Sequence, residues 1–277
     1  MSLAPLPAWV ETILRTKKYR DLDIPNDTIR DLLAQPEAQK LTQHDLPKWL
    51  KRKLHNIVAD YLGDPDYLSA NYEMDEVFSA GNEKNQKDFC KKILNTHAST
   101  RERMDYVEGF YSGIFKVTGI PHSISDLACG LNPFAFPWMG LDASAQYHAY
   151  DIHRPRMVFI NNFFTYIHLA ALAEHRDILI NPPAIHTDVT FLFKEAHRLD
   201  QRQKGCNKIL WKKINSRWLI VSLPSESLSG KHDLVEKHRK LVQDSIDKSN
   251  WMTTELQFGT ELVFCIDKST EKARLNK

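Results

Sequence analysis

The chain has 277 residues, of which 42% are hydrophobic and 26% charged, so it can build a substantial core as one large domain or two smaller ones. Its net charge of +2 excludes a globally basic nucleic-acid binder, and any RNA contact must come from local clusters. Four scattered cysteines without a C-x-x-C pair argue against a structural zinc site. No segment approaches the roughly 20 apolar residues of a membrane span, and no signal peptide opens the chain, so we expect a cytoplasmic protein.

Residues 1–98 show helical periodicity and no convincing strand. The strongest amphipathic pattern is LPKWLKRKLHNIVADYL, which begins at Leu46 and places its apolar side chains on one face, away from its lysines. Two shorter helices are predicted upstream, in PAWVETILRTKKY and NDTIRDLLAQ. We therefore assign residues 1–98 to an all-helical N-terminal domain that binds RNA.

Residues 99–277 alternate β-type runs with helical ones. Ser99 and Glu102 have the spacing of a capping box, which predicts that a helix starts there. Strands are predicted in SISDLACG, QYHAYDI, RDILI, DVTFLFK and RWLIVSLP, followed by a hairpin in TTELQF-GTELVFCID that turns at Gly259. Alternating units of this kind favour a mostly parallel sheet covered by helices on both faces. With its antiparallel closing hairpin, the predicted fold is α/β, a Rossmann-like methyltransferase domain.

The run SISDLACGLNP, Ser123–Pro133, predicts a strand that ends on a small-residue turn. Ligands of doubly wound sheets bind beyond the carboxyl ends of the strands, and Gly130 would let a ligand approach the backbone. Asp151, at the end of the next strand, stands where an acid accepts hydrogen bonds from ribose hydroxyls. Without G-x-G-x-x-G the turn is a poor pyrophosphate site, but it suits a nucleoside such as S-adenosyl-L-methionine (SAM). A plain turn glycine and a solvated strand end remain the alternative.

A distinctive set of segments extends along nearly the whole chain. The most specific pair is HASTRER, His97–Arg103, with DLACGLNPFAFPWM downstream; the others are KKY, KRKLH, YHAYDI, FLFK, SLPSESLSGK and GTELVF. These segments resemble the 16S ribosomal RNA guanine-N7 methyltransferases that confer aminoglycoside resistance, and the chain is identified as a divergent member. The resemblance implies a monomer that uses SAM to methylate guanine N7 of 16S rRNA in the decoding region of the 30S subunit.

The resemblance also implies a cofactor site. Arg103 would pair with the methionine carboxylate of SAM, and an arginine in the first turn of a helix needs an anion because it opposes the helix dipole. Asp151 would hold the ribose hydroxyls, and Asp177 would lie near the adenine amino group unless it forms a surface pair with Arg176. The other implied cofactor-binding residues are His97, Ala128, Cys129, Gly130, Asn132, Ile152, Ile178, Phe193, Lys194 and Gln203.

Guanine N7 carries an exposed lone pair, so its methylation requires alignment and no general base. The sequence contains no His/Asp or Cys/His constellation and no metal-ligand spacing, and we expect neither a catalytic base nor a metal. INPPA, Ile180–Ala184, is similar to the NPP-aromatic signature of amino-directed methyltransferases. Its prolines precede the predicted strand DVTFLFK and lack the aromatic residue, so we interpret them as loop stiffeners.

Local basic clusters are the predicted RNA contacts, since phosphate contacts position an enzyme on folded RNA without reading its sequence. A second basic stretch runs from Lys194 to Arg217, and for each cluster a solvated helix face is the alternative. The candidate RNA-binding residues are Lys17, Lys18, Lys51, Arg52, Lys53 and Lys231.

The chain departs from the family near the expected target-base side. EAHRLD follows FLFK where relatives continue with an apolar run, and Glu226 stands where relatives carry Arg or Lys. A carboxylate there would repel phosphate. Two alternatives are therefore left open: a SAM-dependent methyltransferase of a different RNA or small molecule, and a non-catalytic homologue that binds the ribosome.

Overall fold

The computed structural model describes residues 5–58, 64–226 and 234–269. Its seven-stranded sheet has the order β3-β2-β1-β4-β5-β7-β6, and β7 alone runs in the direction opposite to the other strands. β2 and β3 extend to one side of β1 while β4 and β5 extend to the other, so the strand order switches between β1 and β4. The strands are β1 (Ser123–Leu127), β2 (Gln146–Asp151), β3 (Ala173–His175), β4 (Thr187–Phe193), β5 (Ser216–Pro224), β6 (Met252–Phe258) and β7 (Glu261–Asp267).

Helices cover both faces of this sheet and precede it, which confirms the predicted α/β class. Two short 3₁₀ segments, Met104–Tyr106 and Asn132–Trp138, flank β1 in the sequence. The α-helices within the described ranges are α1 (Ala8–Leu14), α2 (Asn26–Ala34), α3 (Pro36–Gln39), α4 (Leu46–Val58), α5 (Tyr67–Ser79), α6 (Glu83–Thr96), α7 (Ala98–Arg101), α8 (Val107–Thr118), α9 (Arg154–Tyr166), α10 (Ala196–Arg202), α11 (Cys206–Lys213) and α12 (Val235–Ile246).

The first four helices share a core of their own. α4 buries Leu50 and Leu54 completely because its apolar positions recur at helical spacing, and Ile29 of α2 packs into the same cluster. A hydrogen bond of 3.2 Å from the Tyr19 hydroxyl to the Lys51 carbonyl ties the turn after α1 to α4. Ile152, which follows β2, packs against this cluster. The N-terminal helices therefore lie against the end of β2.

α5 and α6 pack together with the sheet. Their buried side chains belong to the same cluster as those of α8, α9 and one face of the sheet. At its centre, Phe134 of the 3₁₀ segment stacks on Phe163 with ring centroids 4.3 Å apart. A second cluster, from α10 to α12, covers the opposite face. The proposed division into domains at residue 98 stays a prediction, although α5 and α6 share the core of the sheet.

Two local predictions are wrong. RDILI is not a strand, because β3 is the preceding three-residue edge segment Ala173–His175, paired with β2. The capping box does not form: the Ser99 hydroxyl contacts His97 Nδ1 at 2.8 Å, and Glu102 binds Lys194. In each case a contact outside the predicted motif replaces the predicted arrangement: pairing with β2 selects the strand, and contacts with His97 and Lys194 engage the two capping-box residues. Within the described parts of the chain, no helix combines the length and apolarity needed to cross a bilayer.

Candidate cofactor site

The turn after β1 lies at the switch point of the sheet. Ala128 and Gly130 adopt φ values of +51° and +54°, and the Cys129 amide donates to the Tyr150 carbonyl at 3.0 Å. Positive φ is rare for residues other than glycine and clusters at functional sites. A Cβ built on Gly130 would meet no heavy atom within 4 Å. The turn is therefore fixed to β2 and has open space beside its glycine.

Asp151 closes this turn from the end of β2. Its buried carboxylate accepts the Gly130 amide at 3.0 Å, the His153 amide at 3.0 Å and Arg156 Nη1 at 2.9 Å. Arg156 also binds Asp64 at 2.6 Å. Burial opposes ionisation of Asp64, but the charge of Arg156 and hydrogen bonds hold its pKa well below its usual range. Asp151 is thus oriented by an ion-pair chain that starts just before α5.

Asp177 and Ile178 follow β3 and are both buried. Asp177 accepts from Arg202 at 2.8 Å, from the Thr28 hydroxyl at 2.8 Å and from the Leu179 amide at 3.1 Å. Arg176 pairs instead with Glu174 at 2.5 Å, so the alternative of a surface pair with Asp177 is wrong. Ile178 lies in the core cluster of α10 to α12. The structure thus brings Asp177 into the interior, against α2 and α10.

Arg103 is buried and has a carboxylate partner within the chain. Its Nε and Nη2 donate to Glu261 at 3.2 and 2.5 Å, and its Nη1 donates to the Asn132 side chain at 2.9 Å. The guanidinium lies between two rings, 4.2 Å from the centroid of Phe110 and 4.6 Å from that of Phe193. Arg103 follows the one-turn helix α7, so the expected opposition to the dipole of a long helix is absent. Glu261 therefore supplies an anion within the chain, where the sequence analysis expected the methionine carboxylate of SAM.

Asn132 connects Arg103 to the buried Asp126 of β1. The Asn132 oxygen accepts from Arg103 and from Tyr111, while its nitrogen donates to Asp126 at 2.9 Å. Tyr147 donates to the same Asp126 oxygen at 2.7 Å, and burial raises the pKa of Asp126 to about 7. The other Asp126 oxygen is buried without a hydrogen-bond partner among the described residues. Arg103, Asn132 and Asp126 therefore form one buried, hydrogen-bonded chain.

Four further predicted cofactor residues have different placements. Phe193 packs on Arg103, and Lys194, with φ of +55°, binds Glu102 at 2.6 Å and Glu261 at 3.5 Å. Burial lowers the pKa of His97 to about 4, which leaves its ring neutral at pH 7. Gln203, expected on the pocket floor, is exposed instead and lines a separate groove of about 790 Å³ between α2, α10 and α12. The structure does not bring Gln203 to the other predicted cofactor residues.

The predicted N-terminal RNA-binding residues lie close together. Lys17, Lys18, Lys51 and Arg52 are exposed, and Lys18 Nζ lies 2.6 Å from Nδ1 of His55 on α4. Lys53 is half-buried over the ring of Trp49. The turn after α1 and the first half of α4 therefore form one basic face.

The second basic stretch is mostly neutralised by acids of the chain. Lys194, Arg198, Arg202, Lys204, Lys208 and Arg217 all form ion pairs. Lys212 and Lys213 are exposed at the end of α11. Lys231 lies outside the described residues. The two basic regions therefore differ, because most cations of this second stretch already have acidic partners within the chain.

Sequence reasoning missed four side chains of the site: Thr28, Glu195, Arg202 and Glu261. Glu261 lies in GTELVF, a segment that carries the family resemblance but to which the sequence analysis assigned no role. Its complete burial, which the sequence alone does not reveal, marks it as part of the site. Burial raises the pKa of Glu195, with further contributions from the negative charges of Asp151 and Asp177, and its carboxylate pairs with Arg198 at 3.3 Å. Thr28 and Arg202 offer no local signal because their partner is Asp177.

The donor set of this site fits an adenosyl sulfonium. The carboxylates of Asp151 and Asp177 are acceptors for hydroxyl and amino groups. Burial raises the pKa values of Asp126 and Glu195, so their surroundings disfavour an uncompensated negative charge. Two buried atoms, Asp126 Oδ1 and Arg202 Nε, lack a partner within the described residues. A ligand or water with complementary groups can satisfy them.

The strand order, the turn after β1 and the acids that follow β2 and β3 define a Rossmann-like methyltransferase. The sequence model of the family described as ribosomal RNA methyltransferase (FmrO) matches residues 15–265 of this chain. The chain belongs to that family.

Individual relatives extend over the same length. A 16S rRNA (guanine(1405)-N(7))-methyltransferase of Micromonospora rosea is 30% identical over 260 residues, covering 91% of this chain and 94% of the relative. One of Proteus mirabilis with the same name is 28% identical, covering 92% and 95%. Among solved structures, the 16S rRNA methylase RmtB is 25% identical with a TM-score of 0.74, covering 94% of this chain and 97% of its own. An rRNA methylase from Escherichia coli is 27% identical with a TM-score of 0.73, covering 94% and 98%.

Proposed function

We propose that this protein transfers a methyl group from SAM to N7 of a guanine in the 16S rRNA of the 30S subunit, in the decoding region, and that this modification can confer aminoglycoside resistance. The observation that carries the proposal is the acid-lined turn at the switch point of an FmrO-family sheet. The curated relatives named for guanine-N7 methylation support the choice of target atom. The protein would act as a monomer, in the cytoplasm where its substrate is found.

The residues that would hold SAM are those around the turn. Gly130 provides open space, Asp151 faces the turn with a fixed carboxylate, and Asp177 offers a buried acceptor. Arg103 has five N–H donors, of which three are engaged by Glu261 and Asn132, so its remaining donors can bind a ligand carboxylate. When bound, SAM supplies an electrophilic methyl group. The task of these side chains is to orient the two reactants and exclude water.

Guanine N7 is unprotonated at neutral pH, so the chain need not remove a proton. His97, one of the predicted cofactor-binding residues, is buried with a pKa lowered to about 4 by desolvation, and its Nδ1 is engaged by Ser99. Its burial and its Ser99 contact suit it to a structural role at the start of α7. Catalysis by this chain would therefore rest on positioning.

The basic face formed by Lys17, Lys18, Lys51 and Arg52 would bind phosphates of the folded RNA. Charge attraction of this kind positions the enzyme without reading sequence. The target guanine would then be selected by the fit of RNA to the whole surface.

A second candidate function is methylation of a different RNA guanine. It is favoured by Glu226, which is exposed beyond the end of β5. The family resemblance implies an arginine or lysine at this position. A carboxylate repels phosphate, so the RNA surface on this side must differ from that of the relatives.

Methyl transfer from labelled SAM tests the proposal on 30S subunits, 50S subunits and protein-free 16S rRNA. We expect label in 30S subunits, located by reductive strand cleavage at N7-methylguanine in the decoding region. N7-methylguanine elsewhere would favour the second candidate. Binding of S-adenosyl-L-homocysteine (SAH) without transfer to any RNA would indicate a non-catalytic homologue.

A further inference from the structure

A buried hydroxyl of the N-terminal helices reaches the candidate cofactor site. Thr28 on α2 is 0% exposed, and its hydroxyl donates to Asp177 Oδ2 at 2.8 Å. The two residues are 149 positions apart in sequence. Thr28 lies in the first turn of α2, and the hydrogen bond of its hydroxyl goes to Asp177 and not to this helix. Its polar group therefore serves a tertiary contact and not the helix that carries it.

Arg202 reinforces the same contact from the other side. Its Nη1 lies 2.8 Å from Asp177 Oδ2, and its Nη2 lies 3.5 Å from Asp31, one turn after Thr28 on α2. α2 thus approaches the end of β3 through a direct hydrogen bond and through a bridging arginine. A carboxylate held by a hydroxyl and a guanidinium cannot rotate freely.

The hydrogen bonds around Asp177 leave room for a ligand. Oδ2 accepts from Thr28 and Arg202, and Oδ1 accepts from the Leu179 amide at 3.1 Å. Because an ionised carboxylate can accept about four hydrogen bonds, these three donors leave one acceptor position, on Oδ1. Because the two donors on Oδ2 fix the orientation of the whole carboxylate, they also fix the direction of the remaining lone pair on Oδ1.

We propose that α2 completes the cofactor site, with Thr28 as a positioning residue that holds Asp177 for the exocyclic amino group of adenine. This inference rests on the proposed role of Asp177 in cofactor binding. It gives the N-terminal helices a second task beside RNA contact, because the affinity for cofactor then depends on how α2 is docked.

The test compares Thr28→Val, which keeps the shape and removes the hydroxyl, with Thr28→Ser, which keeps the hydroxyl. Affinity for SAH is measured by calorimetry. We expect Thr28→Val to bind SAH about tenfold more weakly, since a hydrogen bond to a charged group is removed, and Thr28→Ser to bind like the wild type. Thr12→Val on α1, whose exposed hydroxyl bonds the Ala8 carbonyl of its own helix at 3.1 Å, is the matched control and should not change the affinity.

A second ligand separates positioning from a general structural effect. S-inosyl-L-homocysteine has a carbonyl in place of the adenine amino group, so it lacks the exocyclic donor that Asp177 is proposed to bind. Thr28→Val should weaken SAH binding and leave binding of the inosine analogue unchanged. Wild-type affinity of Thr28→Val for SAH, or an equal loss for both ligands, would overturn the inference. Equal affinity of the wild type for both ligands would also overturn it, because Asp177 would then not recognise the amino group. Failure of the proposed function itself would appear differently, as a wild-type protein that does not bind SAH.

Discussion

At the scale of single residues, the charge of Arg103 is balanced inside the protein by Glu261. The pair is almost completely buried, with side-chain exposures of 3% and 0%, and lies beside two aromatic rings. Burial alone would raise the pKa of Glu261, but Arg103 and Lys194 hold it below its ordinary value. Removal of one partner would leave an uncompensated charge in the interior, which is strongly unfavourable.

Glu261→Gln should therefore destabilise the fold by about 3 kcal/mol, measured as the free energy of unfolding in urea. Glu255→Gln, on the neighbouring strand β6, is the matched control because its partner Arg239 is exposed, and it should change stability little. Equal effects of the two substitutions would contradict the importance of the buried pair.

The buried carboxyl group of Asp126 makes the stability of the fold depend on pH, and the direction of this dependence follows from its raised pKa. Its pKa rises from 3.8 to about 7 in the fold, mainly through burial, so the folded protein keeps a proton that the unfolded chain has released. The stabilising contribution of this proton is fully present below pH 3.8 and is lost as the pH rises through about 7.

Asp126→Asn mimics the protonated side chain and should flatten the pH dependence of the melting temperature between about pH 4 and pH 8. The quantity to measure is the difference between wild type and variant at each pH, which removes the contributions of other groups. A difference that stays constant across this range would show that Asp126 titrates normally.

At the scale of elements, hydrophobic periodicity and turn residues predicted most of the architecture. The strand pattern before Gly130 and the hairpin at Gly259 were predicted correctly because both patterns are local. β3 was misplaced because it is a short edge strand whose sequence, Ala173–His175, has little β character and is fixed by pairing with β2. RDILI has a stronger β pattern, but Ile178 is buried in the core cluster of α10 to α12.

The candidate site was predictable only in part. Motifs pointed to Arg103, Asp151 and Asp177, and the structure places all three in buried, hydrogen-bonded positions near the strand ends. Their partners could not be predicted, since Glu261 is 158 residues from Arg103 and Thr28 is 149 residues from Asp177. Such pairs arise from the packing of whole elements, and spacing in a single sequence carries no trace of them.

The turn after α1 and α4 form one basic element of the surface, which leads to a prediction at this scale. Lys17→Glu combined with Lys18→Glu should weaken binding to 30S subunits and lower its salt dependence by about 0.7 in the log–log slope for each phosphate that the enzyme no longer neutralises. SAH affinity should be unchanged, as measured by calorimetry. Lys84→Glu with Lys91→Glu on α6 makes the same change in net charge and serves as the control. A similar weakening in this control would mean that only overall charge matters.

At the scale of the whole molecule, the N-terminal helices and the sheet are joined at the candidate site. Asp64 binds Arg156 and thereby Asp151, Thr28 binds Asp177, and Arg198 donates to the Asn56 carbonyl at 3.0 Å. These contacts cross from residues before α5 to the ends of β2, β3 and β4. A ligand that orders the acids would therefore also restrict the helices that hold them.

Hydrogen exchange followed by mass spectrometry checks this link. SAH should increase the protection of α2 amides as well as that of the turn after β1. α1, which carries no side chain that contacts either acid in the described residues, provides the internal reference. Protection confined to the turn and the sheet would argue that the N-terminal helices are independent of the cofactor.

We propose that the turn at the end of β1 holds an adenosyl group between Asp151 and Asp177. A crystal structure of the protein grown with SAH tests this placement most directly. We expect the ribose hydroxyls beside Asp151, the backbone of Gly130 against the ligand, and the adenine amino group within hydrogen-bond distance of Asp177. Ligand density at another place, or a turn closed by its own side chains with no ligand beside it, would contradict this assignment.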